Sequence, residues 1–348
     1  MFPDKDFHVT ISIVTWNSEE YIGGFLESLK NQTFKDFHII VVDNASKDKT
    51  LEIVQGYENI TCVKNSANLG FSRAHNKGIE LAMKFWQNKN LNDRFIFVCN
   101  PDVVLAEDCL EKILLSMCRE PDIGLSGPRL LRLENEEPDN SVNTIKTDTV
   151  DSLGLQIFKS RKVIDRFSGM GYGGPWETQE VFGVSGAFMC FRASALLAVK
   201  WGREYFDEDF FAYKEDADIA WRLRNLDWRS VVIPSAVAYH HRGIRGNINL
   251  SAWEKLKSQR RKPQIIKFLS LRNHLWMICK NDFSANHLLD WPFIFSAELG
   301  KFFYYLVLDT KSVRAYFSAL RGLPKMLSKR AYLKTAKVPP HEIREWFR

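Results

Sequence analysis

Between residues 9 and 119, short runs of β-branched and aromatic residues alternate with longer stretches in which apolar side chains recur every three or four positions. The runs cover 9–16, 38–43, 60–64 and 94–99, and the helical stretches cover 19–30, 47–55, 70–86 and 106–119. A strand followed each time by a helix predicts an α/β fold, a mostly parallel sheet with helices on both faces. Ligands of such sheets collect beyond the carboxyl ends of the strands. The chain turns polar at those points: Thr15, Trp16 and Asn17; Asp43, Asn44 and Ser46; Asn65 to Asn68; Asn100, Pro101 and Asp102. Four polar strand ends predict one crevice.

Further along, residues 134–149 are polar and irregular and 168–176 are glycine-rich, which predicts exposed loops over the crevice. Regular structure returns over 181–192 and in a β-rich run over 231–240. Gly169, Gly171 and Gly174 fit the spacing of a dinucleotide fingerprint, but no strand leads into them, Pro175 follows and no helix opens there. The densest chemistry lies between these segments. Phe210 to Asp218 brings an aromatic cluster up to Glu215, Asp216 and Asp218, at the start of a helix with Ile219, Leu223 and Leu226 as its apolar stripe. In the first turn of a helix the unpaired N–H groups and the dipole favour negative charge, so a carboxylate there can stay ionised and accept a proton. The spacing of Asp218 and Arg222 suits an i,i+4 pair.

At 348 residues the chain can bury a large core, and 45% hydrophobic with 26% charged residues is a soluble globular composition. Six cysteines without a Cys-x-x-Cys pair read as reduced core thiols in a cytoplasmic protein, and the charged first eight residues predict no signal peptide. Charge is divided unevenly. Residues 251–348 hold 19 Lys and Arg against 7 Asp and Glu, a net of +12, leaving −6 for residues 1–250 out of the total of +6. Two regions are therefore expected, 1–250 with the α/β pattern and 251–348 basic, aromatic and helical. In the second, Trp291, Phe293, Phe295, Phe302, Phe303, Tyr304 and Tyr305 interleave with Lys301, Lys311, Arg314, Arg321 and Lys325, a mixture suited to a helix lying on an anionic membrane surface. No run of about 18 uncharged apolar residues is present to span a bilayer. The other reading is an aromatic helix packed on the first region.

Four motifs in order carry a resemblance: Val41 to Ser46, Asn68 to Gly78, Asn100-Pro101-Asp102 and Glu215 to Asp218. Over residues 9–245 the sequence resembles family 2 inverting glycosyltransferases of the GT-A fold, and bacterial rhamnosyltransferases of surface-polysaccharide (O-antigen) assembly in particular. Phe182 to Phe188, Leu271-Arg272-Asn273-His274 and the aromatic-basic tail add to the narrower likeness. The resemblance implies a nucleotide-diphosphate-sugar donor, with dTDP-rhamnose leading, and a saccharide acceptor, probable class polyprenyl-linked, reached from the inner face of the cell membrane. It implies that Asp43 contacts the base, with Thr15, Asn17 and Asn44 in the same pocket, and that Asn68, Gly70 and Asn76 pack around the nucleotide beside Asn100. Arg73 would reach a phosphate or be a solvated helix charge. Asp102 supplies one carboxylate where the family's metal motif often has two, so the pyrophosphate would complete the shell of Mg²⁺ or Mn²⁺. A late histidine would join it, His240 rather than His241. Asp216 would be the base, with Glu215 orienting acceptor or base. Gly186 and Ala187 would lie beneath the acceptor, and Trp176 or Phe211 would stack on a sugar.

Other readings leave different marks. A nucleotidyltransferase wants a glycine-rich, Lys-bearing loop after the first strand, and residues 15–20 offer none. A UDP-hexose donor, or a non-catalytic nucleotide-sugar or membrane scaffold of the same fold, stays open. A nucleic-acid partner would rest on the basic tail alone and is not expected.

Overall fold

The computed structural model describes residues 8–135, 144–173, 177–241 and 262–348. Gly174, Trp176 and residues 242 and 243 lie outside them, so the proposed Trp176 stacking position is not placed. The first half alternates as its pattern predicts: β1 (Val9–Thr15), α1 (Ile22–Lys30), β2 (Phe37–Asp43), α2 (Thr50–Gln55), β3 (Ile60–Lys64), α3 (Gly70–Phe85) and β4 (Phe95–Cys99). There follow β5 (Val103–Leu105), α4 (Cys109–Arg119), β6 (Ile123–Asn135), β7 (Thr144–Ser152), β8 (Leu155–Ile157), β9 (Val163–Asp165), β10 (Gln179–Glu180), β11 (Phe188–Arg192), α5 (Ala193–Ala198), α6 (Glu215–Asn225) and β12 (Arg229–His241).

The main sheet runs β10-β12-β6-β11-β4-β1-β2-β3, with β5 added to β12 and β7 to β6. It is mixed, not mostly parallel. β1 is parallel to β2 and β4, β2 to β3, and β6 to β12, whereas β11 is antiparallel to both its neighbours and β5, β7 and β10 are antiparallel as well. The parallel order lasts as long as each strand is followed by a crossover helix. β11 enters from an irregular stretch and so can run the other way. A second correction concerns 134–149, expected as loop: residues from Thr144 form β7 against β6, with Val150 buried and Ile145 exposed.

Each face of the sheet carries its own core. Val9, Ile11 and Ile13 of β1 pack with Phe25, Leu29 and Ile113 from α1 and α4. Ile40, Val42, Ile96 and Val98 face the other way, towards Ala74 and Ile79 of α3 and Ile219 and Leu223 of α6. Strands buried on both faces explain the continuous apolar runs in the sequence.

Among the described residues five α-helices follow: α7 (Gln264–Asn281), α8 (Ser284–Leu289), α9 (Trp291–Leu308), α10 (Arg314–Lys329) and α11 (Pro340–Glu345). They pack against α6, since Trp276, Met277, Met326 and Phe347 share a core with Phe182, Phe210, Ala217 and Trp221. Buried ions join the same seam. Lys280 Nζ lies 2.7 Å from Asp207 and 2.7 Å from Asp218, and Lys329 Nζ lies 2.6 Å from Asp207. Removing one partner of such a buried pair costs about 3–5 kcal/mol. The outward side differs: Trp291, Phe293, Phe295, Leu299 and Phe303 of α9 and Phe317 and Leu320 of α10 are exposed. Among the described residues no helix is long and apolar enough to cross a membrane.

Candidate active site

The parallel register of β1 and β2 sets Thr15 opposite Asp43 at the carboxyl edge. Thr15 Oγ1 donates to Asp43 Oδ1 at 2.8 Å, and the Ser46 hydroxyl and N–H donate to Asp43 at 2.5 and 3.0 Å, so the buried carboxylate is held by three donors. Asn17, in a left-handed conformation, ties this edge to the next turn: its N–H donates to Ser46 Oγ at 2.9 Å and its Oδ1 accepts from Lys47 N–H at 2.9 Å. Asn44 accepts from the Asn65 amide at 2.9 Å and donates to Gly70 O at 3.2 Å. The Asn68 side chain then accepts from Gly70 N–H at 2.8 Å. These residues form one polar, internally satisfied shelf.

Gly70 itself has φ +77°, and a Cβ there would lie 2.5 Å from Phe211 O and 2.6 Å from the Phe211 ring. What approaches this glycine is the loop before α6. The same loop occupies the two α3 residues expected at the donor. Asn76 accepts from Phe206 N–H at 2.8 Å and donates to Phe206 O at 2.8 Å, while Arg73 Nε pairs with Glu208 at 2.7 Å.

On the other side of the shelf, Asn100 and Asp102 follow β4, where Asn100 N–H donates to Ala187 O at 2.9 Å. The β5–β12 pairing and a bond from His241 N–H to Asp102 O (2.9 Å) bring His240 alongside. His240 Nε2 stands 3.5 Å from Asp102 Oδ1, and its Nδ1 is 2.9 Å from Asp151 Oδ2. Burial disfavours the charged ring, but the two carboxylates outweigh it and hold His240 up at about 10. Asp102 Oδ1 is buried without a hydrogen-bond partner. A divalent cation fits this arrangement if it displaces the Nε2 proton: a buried carboxylate oxygen without a hydrogen bond, an imidazole nitrogen 3.5 Å from it, and a second carboxylate fixing the far ring nitrogen, as metal-bound histidines usually have. Among the described residues no third His, Cys, Asp or Glu joins the set. Two protein ligands leave most of the shell to ligand oxygens.

Glu215 and Asp216 line a cavity of about 360 Å³ together with Asn100, Gly186, Ala187 and His240. The Asp216 carboxylate accepts from Ala217 N–H at 2.7 Å and from Gly186 N–H at 3.3 Å. Glu215 is buried and its Oε2 has no partner; burial first, then the charge of Asp216, pushes it up to about 8, so it holds its proton at neutral pH. Glu215, on the cavity lining, can therefore donate a hydrogen bond into it. Asp218 faces away, bonded to Arg222 at 3.0 Å as the spacing predicts, and also to Asn281 at 2.8 Å.

The turn that delivers α6 is strained. Phe211 (φ 64°), Tyr213 (φ 71°) and Lys214 (φ 72°) all have positive φ, and none is glycine. Phe211 has ψ −65° and Ala212 N–H reaches Phe210 O at 2.7 Å, which makes a γ-turn of the rare strained hand. Such conformations cost about 1–3 kcal/mol each. Phe211 sits on Gly70 and outside the cavity wall. Lys214, Asp165, Ser185 and Asp151 are near the chemistry and were not singled out by sequence reasoning; the one signal available for Lys214 was its place beside the acids.

The mixed sheet with helices on both faces, carrying polar residues at its carboxyl edge, is a GT-A-like fold. Residues 10–197 match the Glycosyl transferase family 2 model, so the chain belongs to that family and is a glycosyltransferase. It is 30% identical over 245 residues, 66% of this chain and 74% of the other, to the N-acetylglucosaminyl-diphospho-decaprenol L-rhamnosyltransferase of Mycobacterium tuberculosis (strain CDC 1551 / Oshkosh). It is 27% identical over 270 residues to the rhamnosyltransferase WbbL of Escherichia coli K12, covering 76% of this chain and 96% of that one. Among solved structures, GalNAc-T7 with UDP, GalNAc and Mn²⁺ superposes with a TM-score of 0.56 at 12% identity, over 80% of this chain and 48% of that chain. This last likeness bears on the fold alone, and the chain spans about half of that structure's length.

Proposed function

We propose that this enzyme moves a sugar, rhamnose from dTDP-rhamnose being the leading candidate, from a nucleotide diphosphate to a polyprenyl-linked saccharide, with inversion at the anomeric carbon. The observation that carries the reading is that Asp216, His240 and Asn100 line one cavity. Inversion needs the acceptor hydroxyl to attack from the face opposite the leaving diphosphate, so the base and the group that holds the diphosphate must share one cavity. Asp216 accepts the hydroxyl proton. Protonated Glu215 beside it keeps a second negative charge away and can donate a hydrogen bond to the acceptor. Thr15, Asn17, Asp43 and Asn44 offer the base and ribose a rigid polar shelf, with Asn68 and Gly70 at its edge. Asp102 and His240 would hold Mg²⁺ or Mn²⁺, whose charge offsets the charge growing on the departing diphosphate. The solved GalNAc-T7 structure, which shares the fold, was determined with Mn²⁺.

The polyprenyl acceptor rests on the relative from Mycobacterium tuberculosis, whose name contains a diphospho-decaprenol, and on the outward face of the C-terminal helices. Trp291, Phe295 and Leu320 border an apolar recess of about 490 Å³, with Phe293 and Phe303 exposed nearby. Exposed aromatics beside Lys311, Arg314 and Arg321 suit peripheral binding to the inner, anionic membrane surface. The test is a thermal-shift screen of the full chain with dTDP-, UDP- and GDP-sugars and Mg²⁺. Selective stabilisation by dTDP-rhamnose is expected, since a ligand at about 100 times its Kd adds about 2.7 kcal/mol. Stabilisation by UDP-hexoses alone would replace rhamnose with a hexose, and no shift with any of them would remove the donor site.

A further inference from the structure

We infer that Asn273, on α7 in the C-terminal region, is the positioning residue that holds the catalytic turn in shape and so aims Asp216 into the cavity. The inference rests on the reading of Asp216 as the base. Asn273 is fully buried, and its amide Nδ2 donates to Phe210 O at 2.8 Å, Ala212 O at 2.9 Å and Tyr213 O at 2.8 Å. Three carbonyls of one short turn converge on one amide group. Its Oδ1 accepts from Arg272 Nε at 3.0 Å and Nη2 at 2.9 Å. Arginine can only donate and carbonyls can only accept, so the amide has a single orientation, with its two N–H groups shared among the three carbonyls.

The carbonyls that Asn273 gathers flank the three positive-φ residues, Phe211, Tyr213 and Lys214. L-residues leave such conformations unless their surroundings over-determine them. Relaxation of Lys214 would swing the start of α6, because Lys214 is the residue immediately before Glu215 and its O accepts from Asp218 N–H at 2.9 Å. The front of the turn is held too: Ser72 N–H donates to Phe211 O at 3.2 Å, next to Gly70. Asn273 and Ser72 clamp the turn from behind and in front, from the C-terminal helices and the donor shelf. A C-terminal helix thus belongs to the catalytic apparatus, although Asn273 touches no reactant.

The test uses the full chain and measures turnover and donor affinity separately. Asn273→Ala should lower kcat by about 10²-fold, the loss expected when a reacting group is misplaced by about 1 Å. The Kd for the nucleotide sugar should stay within about twofold, since the shelf is built from β1, β2 and α3. Asn273→Ser keeps one donor and should fall between the two, which preserves the test if the alanine variant folds poorly. The discriminating arm is rescue: adding Phe211→Gly, which supplies the left-handed backbone without strain, should recover about tenfold of the lost kcat. Full kcat in Asn273→Ala alongside an inactive Asp216→Asn would overturn the positioning role and leave the base assignment standing. Equal losses of kcat and donor affinity with no rescue would also overturn it, marking a general packing role. Activity persisting in Asp216→Asn would instead remove the reading on which it rests.

Discussion

The proposed donor shelf and the proposed catalytic turn are built on opposite plans. On the shelf, Asp43, Asn44 and Asn68 have their acceptors met by neighbouring hydroxyls, amides and N–H groups at strand ends, where the positive-φ residues, Asn17, Ala45 and Gly70, are isolated from one another. In the turn, three residues have positive φ, a buried Glu215 oxygen has no partner, and order is imposed from 60 residues further along the chain. A site that must hold a large ligand in one pose is made locally and rigidly. A site that must keep one acid protonated and its neighbour ready to accept a proton is made under strain, with the correction supplied from outside.

Removing the metal-facing oxygen should produce the largest contrast between the two halves. Asp102→Ala is expected to lower kcat/KM by about 10²–10³-fold and to abolish the response of donor affinity to Mg²⁺, measured by calorimetry with and without the ion. Unchanged metal dependence would take Asp102 out of the site. The junction comes next. Gly70→Ala should destabilise the protein by about 1–3 kcal/mol, because the new methyl meets Phe211 at a positive-φ position. Denaturant unfolding would show it, and a neutral result would mean that shelf and turn are not in contact.

A smaller, pH-dependent difference should come from Glu215. Its folded value is raised to about 8, so the folded state holds this proton through a range where the unfolded chain has already lost it. Stability from this group is therefore full below the ordinary glutamate range near 4.5, and is lost as pH rises towards 8. Glu215→Gln should melt higher than the parent at pH 8.5, and the gap should close on approach to pH 4.5. A gap that is constant with pH would place Glu215 in an ordinary solvated environment. The smallest effect is expected on the outward face: Phe293→Ser with Phe303→Ser should weaken binding to anionic vesicles by about tenfold or more and leave soluble-substrate turnover unchanged. Equal partitioning would assign the exposed aromatics to something other than lipid.

The shelf was legible in the sequence because its logic is local. An apolar run that ends in Asp43-Asn44 or Asn100-Pro101-Asp102 reports a strand end and its chemistry together. The sheet's direction was not legible past β4, because hydrophobic patterning marks a strand without marking which way it runs. β7 was missed for a different reason. Its alternation of Thr with Asp and Lys over Thr144–Ser152 reads as loop on polarity, although an edge strand needs few apolar residues. The acids at the start of α6 were visible, yet the strained turn before them was not, since Phe211, Tyr213 and Lys214 are residues that ordinarily avoid positive φ. In the C-terminal region the aromatic and basic composition suited both a surface helix and a packed one. The structure shows the packed side, with Trp276 and Met277 buried inward, and leaves Trp291 and Phe293 exposed outward. Asn273 was visible in the sequence only as part of Leu271-Arg272-Asn273-His274 within the resemblance, and its contact with the turn was not, since an asparagine in a helix is ordinarily a weak helix former.

The most direct measurement is single-turnover transfer by Asp216→Asn, with donor affinity measured on the same preparation. Turnover should drop by at least about 10³-fold while the Kd for the nucleotide sugar stays within about twofold, because the carboxylate takes the acceptor's proton and does not touch the donor shelf. Transfer at close to the parental rate would contradict the account.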